Sequence, residues 1–157
     1  MQIPSSRPMA PTEPMPKDQP LPESNSSRRE VLEMNIDAND IDFMGHVNNA
    51  TYLKWVQAAV LSHWQRVAPP EAVVAYVWIA VKHEITYRKP AFLGNRIVAN
   101  ALLQRVQRES AFYETTIMRE NDVLAEVKSR WCCLERNSLC PARLDDATVA
   151  HFFSNED

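Results

Sequence analysis

The alternation of apolar and polar residues predicts a strand, a long helix and then four more strands. Residues 29–37 alternate with a period of two, as a half-buried strand does. From Asn48 the apolar period becomes that of an amphipathic helix, which ends at Pro69-Pro70. A helix of about 18 residues spans some 27 Å, which is long enough to lie across a sheet and cover one of its faces.

The remaining apolar runs predict strands over residues 77–88, 97–106, 111–118 and 123–134, joined mostly by short turns. Apolar residues between Ala147 and Phe153 allow a short terminal helix. This order of elements favours an α+β domain in which an antiparallel sheet wraps around one long central helix.

The first 28 residues differ in composition from the rest of the chain. Seven of the eleven prolines lie there, and Ile3 and Leu21 are the only branched aliphatic residues. Such a segment buries too little apolar surface to offset the entropy lost on ordering. We therefore expect a disordered proline-rich tail over residues 1–28 and a folded domain over residues 29–157.

Composition narrows the possible functions. The net charge of −3 and the pI near 5.8 give no basic surface for a nucleic acid partner. No apolar run is long enough to span a membrane, and the N-terminus lacks the pattern of a signal peptide. The three cysteines, Cys132, Cys133 and Cys140, are odd in number and match no metal-ligand spacing. They indicate reduced thiols in a cytoplasmic protein.

The segment NDIDFMGHVNN, residues 39–49, is the strongest candidate for a functional site. The chain has only two glycines, and Gly45 lies here between Asp42 and the start of the helix. Glycine permits a tight turn, and Asn48 or Asn49 can cap the helix. The helix N-terminus offers free N–H groups and the positive end of a dipole.

Metal binding explains this segment poorly. A calcium loop beginning at Asp40 would have Met44 where an oxygen ligand belongs and Thr51 in place of the final glutamate. Asp42 and His46 could ligate a transition metal, but no third ligand accompanies them. We expect no metal site.

The sequence DIDFMGHVNNATYLKW resembles the signature of the hotdog-fold acyl-CoA thioesterases, in the 4-hydroxybenzoyl-CoA thioesterase-like group. Its His-Val-Asn-Asn run is similar to a segment of the plant acyl carrier protein thioesterases. The resemblance extends from about Arg29 to Leu134. It includes the strand order, the connection from Tyr87 to Gly94 and the Arg108-Glu-Ser110 turn.

The resemblance implies a hotdog fold and hydrolysis of an acyl-CoA, or of an acyl carrier protein thioester, without a cofactor. Asp42 would be the catalytic carboxylate, acting either as nucleophile or as general base. The backbone N–H of Asn49 would polarise the thioester carbonyl. The protein would be a homodimer with active sites at the subunit interface. In this family such dimers often pair again into a tetramer.

Other residues receive supporting roles. His46 could act directly in catalysis, and Asn48 could touch the substrate as well as cap the helix. Tyr52 would line the acyl pocket or pack beneath the sheet. Asp40 is expected to be structural, and His63 and His83 to be core histidines. The phosphates of coenzyme A call for arginine or lysine near the mouth of the site. By the resemblance, Arg105, Arg108 and Ser110 match the part of the family pattern that often meets the nucleotide, and Arg88 and Lys89 are second candidates.

Two other functions fit the same segment. A hydratase or dehydratase acting on acyl thioesters would need an acidic residue paired with a histidine, and Asp42 with His46 keeps that interpretation open. A noncatalytic acyl-thioester binding module would use the pocket without needing the charge of Asp42.

Overall fold

The computed structural model describes residues 26–154. A short 3₁₀ turn spans Ala38–Asp40, and the other elements follow in chain order. They are β1 (Arg29–Met34), α1 (Asn49–Val67), α2 (Pro70–Ala75), β2 (Tyr76–Tyr87), β3 (Ile97–Gln107), β4 (Ser110–Arg119), β5 (Asp122–Glu135) and α3 (Asp146–Phe153). The expected proline-rich tail lies outside the described residues, apart from its last three. Of these, Ser27 is already buried.

The five strands form one antiparallel sheet in the order β1-β3-β4-β5-β2. The long helix α1 packs across one face of this sheet, mainly against β1 and β3. This arrangement confirms the predicted α+β fold with a sheet wrapped around one long helix. The strands β1 and β2 are its two edges, and β2 is the longer edge with 12 residues.

The apolar stripe of α1 supplies much of the core. Its buried members include Tyr52, Val56, Ala59, Val60 and Trp64, as the helical period predicts. Trp55 is also buried, whereas Leu53 is only partly covered. Burying a large apolar side chain contributes about 1.5–3 kcal/mol, so this stripe fixes the helix on the sheet.

The sequence predicts a strand over residues 77–88, and the structure differs in that this strand, β2, contains a bulge. The register with β5 shifts between Ala80 and Lys82, which leaves Val81 as the extra residue. Before the bulge Trp78 faces the core side, and after it His83 does. Ile79 and Val81 are each 48% exposed.

A second difference from the expected structure follows α1. The sequence predicts only that Pro69-Pro70 ends the helix, but the chain immediately forms the short helix α2. Pro70 stands at its first helical position, where the missing N–H costs no hydrogen bond. None of the helices between residues 26 and 154 has the length and apolar character that crossing a bilayer requires.

His63 is a core histidine, as expected. Its side chain is fully buried, with Nδ1 2.7 Å from the Tyr113 hydroxyl and Nε2 2.6 Å from the Ser27 carbonyl oxygen. A carbonyl can only accept, so Nε2 carries the proton and the neutral ring accepts the Tyr113 hydroxyl at Nδ1. The Ser27 hydroxyl donates in turn to the Phe152 carbonyl, which ties both ends of the domain to α1.

His83 departs from the same expectation. Its ring lies edge-on against Trp131 and is only partly buried. Its Nδ1 atom is covered but has no hydrogen-bond partner among the described residues. Burial lowers the pKa of His83.

The buried His63 predicts a dependence of stability on pH. Burial lowers its pKa below the ordinary 6.5, so the unfolded chain takes up a proton that the folded chain does not. The contribution of the buried His63 to the free energy of unfolding should be complete above pH 6.5. It should fall as the pH drops toward the lower pKa of the folded state. His63→Gln should lose about 1–3 kcal/mol at neutral pH and show less of this decline.

Denaturant unfolding at several pH values measures both effects. His151→Gln, at an exposed histidine of α3, is the matched control and should leave the curve close to wild type. An unchanged pH dependence in His63→Gln would contradict this account of the buried imidazole.

Candidate functional site

The loop between β1 and α1 is folded around the side chain of Asp42. Its Oδ1 atom accepts hydrogen bonds from the backbone N–H groups of Met44 at 2.9 Å and His46 at 3.1 Å. The Asp42 N–H donates to the His46 carbonyl at 2.7 Å. The other carboxylate oxygen, Oδ2, has no partner among residues 26–154. One oxygen therefore holds the turn and the other is available.

The turn itself explains why a glycine stands at position 45. Gly45 has φ +81°, in the left-handed region that residues with a Cβ rarely adopt. A Cβ added there would meet no atom of the described part of the chain within 4 Å, apart from its own chain neighbours. The requirement is thus one of backbone conformation and not of space.

The first turn of α1 offers one free donor. Asn48 is the N-cap, and its Oδ1 atom accepts the Ala50 N–H at 3.0 Å. Its carbonyl accepts the Thr51 N–H at 2.9 Å, and its own N–H donates to the Asp40 carbonyl at 2.7 Å. The N–H of Asn49, the first helical residue, has no partner within the described part of the chain.

Asp40 has the structural role expected of it. Its carboxylate accepts the Asp37 N–H at 2.9 Å, and together the two residues form a capping box around the 3₁₀ turn. This turn presents the Asp40 carbonyl to Asn48, so it sets where α1 begins.

A cavity of about 330 Å³ opens at this end of the sheet. Its wall brings together Asp42, His46, Asn49, Tyr52, Arg88 and Lys89, six of the residues that the sequence singled out. Gly45 and Asn48 shape the loop and the helix start behind this wall.

The imidazole of His46 is not paired with Asp42. The bond between these two residues comes from the backbone N–H of His46, whereas its ring lies edge-on against Phe92 with the centroids 5.2 Å apart. Within residues 26–154, the cavity thus contains a carboxylate and an imidazole but no hydrogen-bonded acid–histidine pair.

Two tyrosines form the apolar floor of the cavity. Tyr52 is 2% exposed and contacts the rings of Trp55 and Tyr87. Burial raises the pKa of Tyr52. Tyr87, at the end of β2, donates its hydroxyl to the Asn49 carbonyl oxygen at 2.9 Å. Sequence reasoning missed Tyr87 as a site residue, although it begins the Tyr-Arg-Lys-Pro connection that was noticed for its cations.

The cations at the cavity are already paired. Arg88 contacts Glu126 at 2.6 Å, and Lys89 contacts Asp122 at 2.8 Å. All four side chains are about half exposed, so each pair is screened by solvent and holds its cation only weakly.

The other predicted phosphate contacts lie at the far end of the sheet. Ser110 is level with Cys132 and Ile79 in the register, whereas Ile117 is level with Ala125 and Tyr87 beside the cavity. The seven steps from Ser110 to Ile117 span about 23 Å at ~3.3 Å per step. Arg108 lies in the turn before Ser110.

Arg105 also lies away from the cavity within one chain. It stacks over Phe112, with its guanidinium carbon 3.9 Å from the ring centroid. One chain therefore does not bring Arg105, Arg108 or Ser110 to Asp42. Among residues 26–154, no three histidine, cysteine or acidic side chains are grouped so that they could hold a metal ion.

Comparison with known proteins identifies the family of this chain. A sequence profile described as the thioesterase superfamily matches residues 44–126, just over half of the chain, beginning two residues after Asp42. No curated protein sequence matches the chain.

Solved structures share the fold. A hypothetical protein from Thermus thermophilus superposes with a TM-score of 0.72 at 21% identity, covering 80% of this chain and 98% of its own. A 1,4-dihydroxy-2-naphthoyl-CoA thioesterase from Synechocystis gives 0.69 at 16%, covering 82% and 98%. A thioesterase complexed with coenzyme A and zinc, also from Thermus thermophilus, gives 0.69 at 23%, covering 80% and 92%. At these identities the similarity establishes the hotdog fold.

The left-handed turn at Gly45 predicts a graded effect of substitution. Gly45→Ala should lower the free energy of unfolding by about 1–2 kcal/mol, because a Cβ is strained at positive φ. Gly45→Asn should lose less, since asparagine tolerates this region better than most residues.

Chemical denaturation of the variants tests this order. Gly94→Ala, at φ +89° in the connection between β2 and β3, is a matched control that should lose a similar amount. Equal stability of Gly45→Ala and wild type would contradict the turn described here.

Proposed function

The chain belongs to the thioesterase superfamily and is a thioester hydrolase, and we propose that it cleaves acyl-CoA to a free acid and coenzyme A at the cavity around Asp42. One observation carries this proposal. Asp42 and Asn49 line the same cavity, and within residues 26–154 neither the Oδ2 atom of Asp42 nor the N–H of Asn49 has a hydrogen-bond partner. A carbonyl group held there would meet a carboxylate and a hydrogen-bond donor.

The chemistry of a thioester suits this pair of groups. The thiolate is a good leaving group, so the reaction needs little help from an acid. It does need a base or nucleophile and a donor for the oxyanion that develops on the carbonyl. Asp42 can attack the carbonyl carbon or take a proton from the attacking water, and both routes use its free oxygen. The Asn49 N–H stabilises the oxyanion at the positive end of the α1 dipole.

The geometry disfavours the hydratase alternative. Enzymes of that kind need an acidic residue paired with a histidine, but the His46 imidazole packs against Phe92 and makes no hydrogen bond to Asp42. His46 can still border the substrate, since it lines the cavity. Removing the charge of Asp42 distinguishes an enzyme from a noncatalytic binding module, because only the enzyme needs that charge.

The acyl group and coenzyme A have separate candidate contacts. The buried ring of Tyr52 and the ring of Tyr87 give an apolar floor for the acyl group. Arg88 and Lys89 line the same cavity and can exchange their carboxylate partners for phosphate oxygens. Coenzyme A occupies the similar Thermus thermophilus thioesterase, which supports it as the carrier over an acyl carrier protein.

The functional unit is a homodimer formed through β2. This strand is a 12-residue edge of the sheet, and Ile79 and Val81 on it are each 48% exposed. A long edge with exposed apolar side chains tends to pair with another strand. A two-fold axis near the middle of β2 would join two copies into one continuous antiparallel sheet.

This dimer would also reunite the separated site residues. Around the axis, the Tyr87 end of one β2 would face the Ile79 end of the other. Ser110 of the partner subunit would then lie three strands from Tyr87, about 14 Å at ~4.8 Å per strand. Within one chain, the rows that contain Ser110 and Tyr87 are about 23 Å apart along the strands. Arg105 and Arg108 of the partner subunit can reach coenzyme A on this side. A tetramer would arise if two such dimers paired again.

The three cysteines favour the cytoplasm. Cys132, Cys133 and Cys140 are all free thiols. Burial raises the pKa of Cys133 to about 12, so that thiol is unreactive. Reduced cysteines are typical of proteins in the cytoplasm.

Asp42→Asn tests the catalytic carboxylate. Asparagine keeps the oxygen that accepts the two backbone N–H groups, so the turn survives and only the charge is lost. We expect kcat/KM on acyl-CoA to fall at least about 100-fold, or ~3 kcal/mol of transition-state stabilisation. Steady-state thiol release on a panel of acyl-CoAs, with thermal unfolding in parallel, measures this.

Asp40→Asn is the matched control, two residues away in the same loop. It keeps the capping oxygen and should retain activity within about threefold. If the wild-type protein releases no thiol from any thioester, the proposal that it is a thioesterase is refuted. Binding of acyl-CoA that Asp42→Asn does not alter would then point to the binding module.

Val81→Asp tests the dimer interface. Near the two-fold axis it would bring two carboxylates together, so we expect dissociation from a dimer to single chains of 18.0 kDa and loss of activity. Light scattering after gel filtration gives the mass. Val31→Asp, on the opposite edge β1 where Val31 is 54% exposed, should remain a dimer. An active single chain would contradict the interface.

A further inference from the structure

We infer that Tyr87 is a positioning residue that holds the first peptide groups of α1 so that the Asn49 N–H points into the cavity. This inference rests on the proposed function and adds to it a role for the Tyr87 hydroxyl, beside that of its ring in the cavity floor. Tyr87 comes from the end of β2, whereas Asn49 comes from the helix, so the contact joins the two elements that form the cavity.

The contact fixes one peptide plane from both sides. The carbonyl of Asn49 and the N–H of Ala50 belong to the same planar peptide unit. Tyr87 donates its hydroxyl to this carbonyl at 2.9 Å, and the Asn48 side chain accepts this N–H at 3.0 Å. The unit cannot rotate without breaking one of the two hydrogen bonds.

The Asn49 N–H lies one Cα atom before this clamped unit. On its other side, Asn48 is held by the bond from its N–H to the Asp40 carbonyl at 2.7 Å. The free N–H is therefore bracketed by fixed groups. A donor that is already oriented stabilises a developing oxyanion without reorganisation during the reaction, and this is why such donors are effective.

The Tyr87 ring is suited to this position. It stands edge-on against the buried Tyr52 ring with the centroids 5.2 Å apart, which fixes the direction of its hydroxyl. Tyr87 is 41% exposed and lines the cavity. Burial raises the pKa of Tyr87, so the hydroxyl keeps its proton at neutral pH and remains a donor.

Tyr87→Phe removes the hydroxyl and leaves the ring. We expect kcat on the best acyl-CoA to fall between about threefold and tenfold, the factor that corresponds to one neutral hydrogen bond. KM should change by less than about twofold, because the clamp acts on the oxyanion and not on the bound ground state. Tyr76→Phe, at the other end of β2, is the matched control and should keep the wild-type kcat.

A second readout does not depend on activity. In ¹⁵N-labelled protein, Tyr87→Phe should shift the amide resonances of Asn49 and Ala50 and speed their hydrogen exchange. Tyr76→Phe should leave both resonances unchanged. Asn48→Ala removes the other half of the clamp, and its combination with Tyr87→Phe should lower kcat by less than the product of the two single effects.

The outcomes separate this inference from the proposed function. It is overturned if Tyr87→Phe keeps the wild-type kcat while Asp42→Asn is inactive, and the proposed function then stands. It is also overturned if only KM rises, if Tyr76→Phe lowers kcat equally, or if the two amides do not respond. If Asp42→Asn has no effect on thiol release while the amides respond to Tyr87→Phe, the proposed function fails and the clamp itself is upheld.

Discussion

The structure depends on the burial of one apolar helix stripe against one face of a five-stranded sheet. Tyr52, Val56, Ala59, Val60 and Trp64 fill that contact. Because α1 packs mainly on β1 and β3, its N-terminus comes to rest at the end of the sheet where β2 finishes. The cavity and the free donors of the helix start follow from this placement, and so does the exposed outer edge of β2.

The loop before the helix combines structure and chemistry in one side chain. Asp42 uses one carboxylate oxygen to hold the turn and leaves the other free within residues 26–154. Gly45 makes this possible by adopting φ +81°. The Asn48 side chain accepts the Ala50 N–H, whereas the Asn49 N–H has no partner within the same residues. A short polar segment thus sets a negative group and a donor at one cavity.

Local features of this site could be predicted from the sequence, because their cause lies within a few neighbouring residues. The glycine turn, the Asn48 cap and the structural role of Asp40 depend on short contacts. The bulge at Val81 could not be predicted, since an extra valine preserves the apolar character of the strand. The hydrogen bond from Tyr87 to Asn49 joins residues 38 positions apart, and no local pattern reports it.

The predicted phosphate contacts show a different limit of prediction from the sequence. Arg105, Arg108 and Ser110 were grouped with Asp42 by resemblance alone. Their distance from it follows from strand direction and register, which fix the β3–β4 turn at the end of the sheet away from the cavity. If these residues serve the same site, a second chain must supply them.

Complementation between two inactive variants tests this central claim most directly. One chain carries Asp42→Asn, and the other carries Arg105→Gln, Arg108→Gln and Ser110→Ala together. In a co-expressed mixture, half of the sites in each mixed dimer combine intact Asp42 with intact partner residues. The account predicts recovery of on the order of a quarter of wild-type acyl-CoA hydrolysis. Activity no higher than the mean of the two parents, or a fully active triple variant, would contradict it.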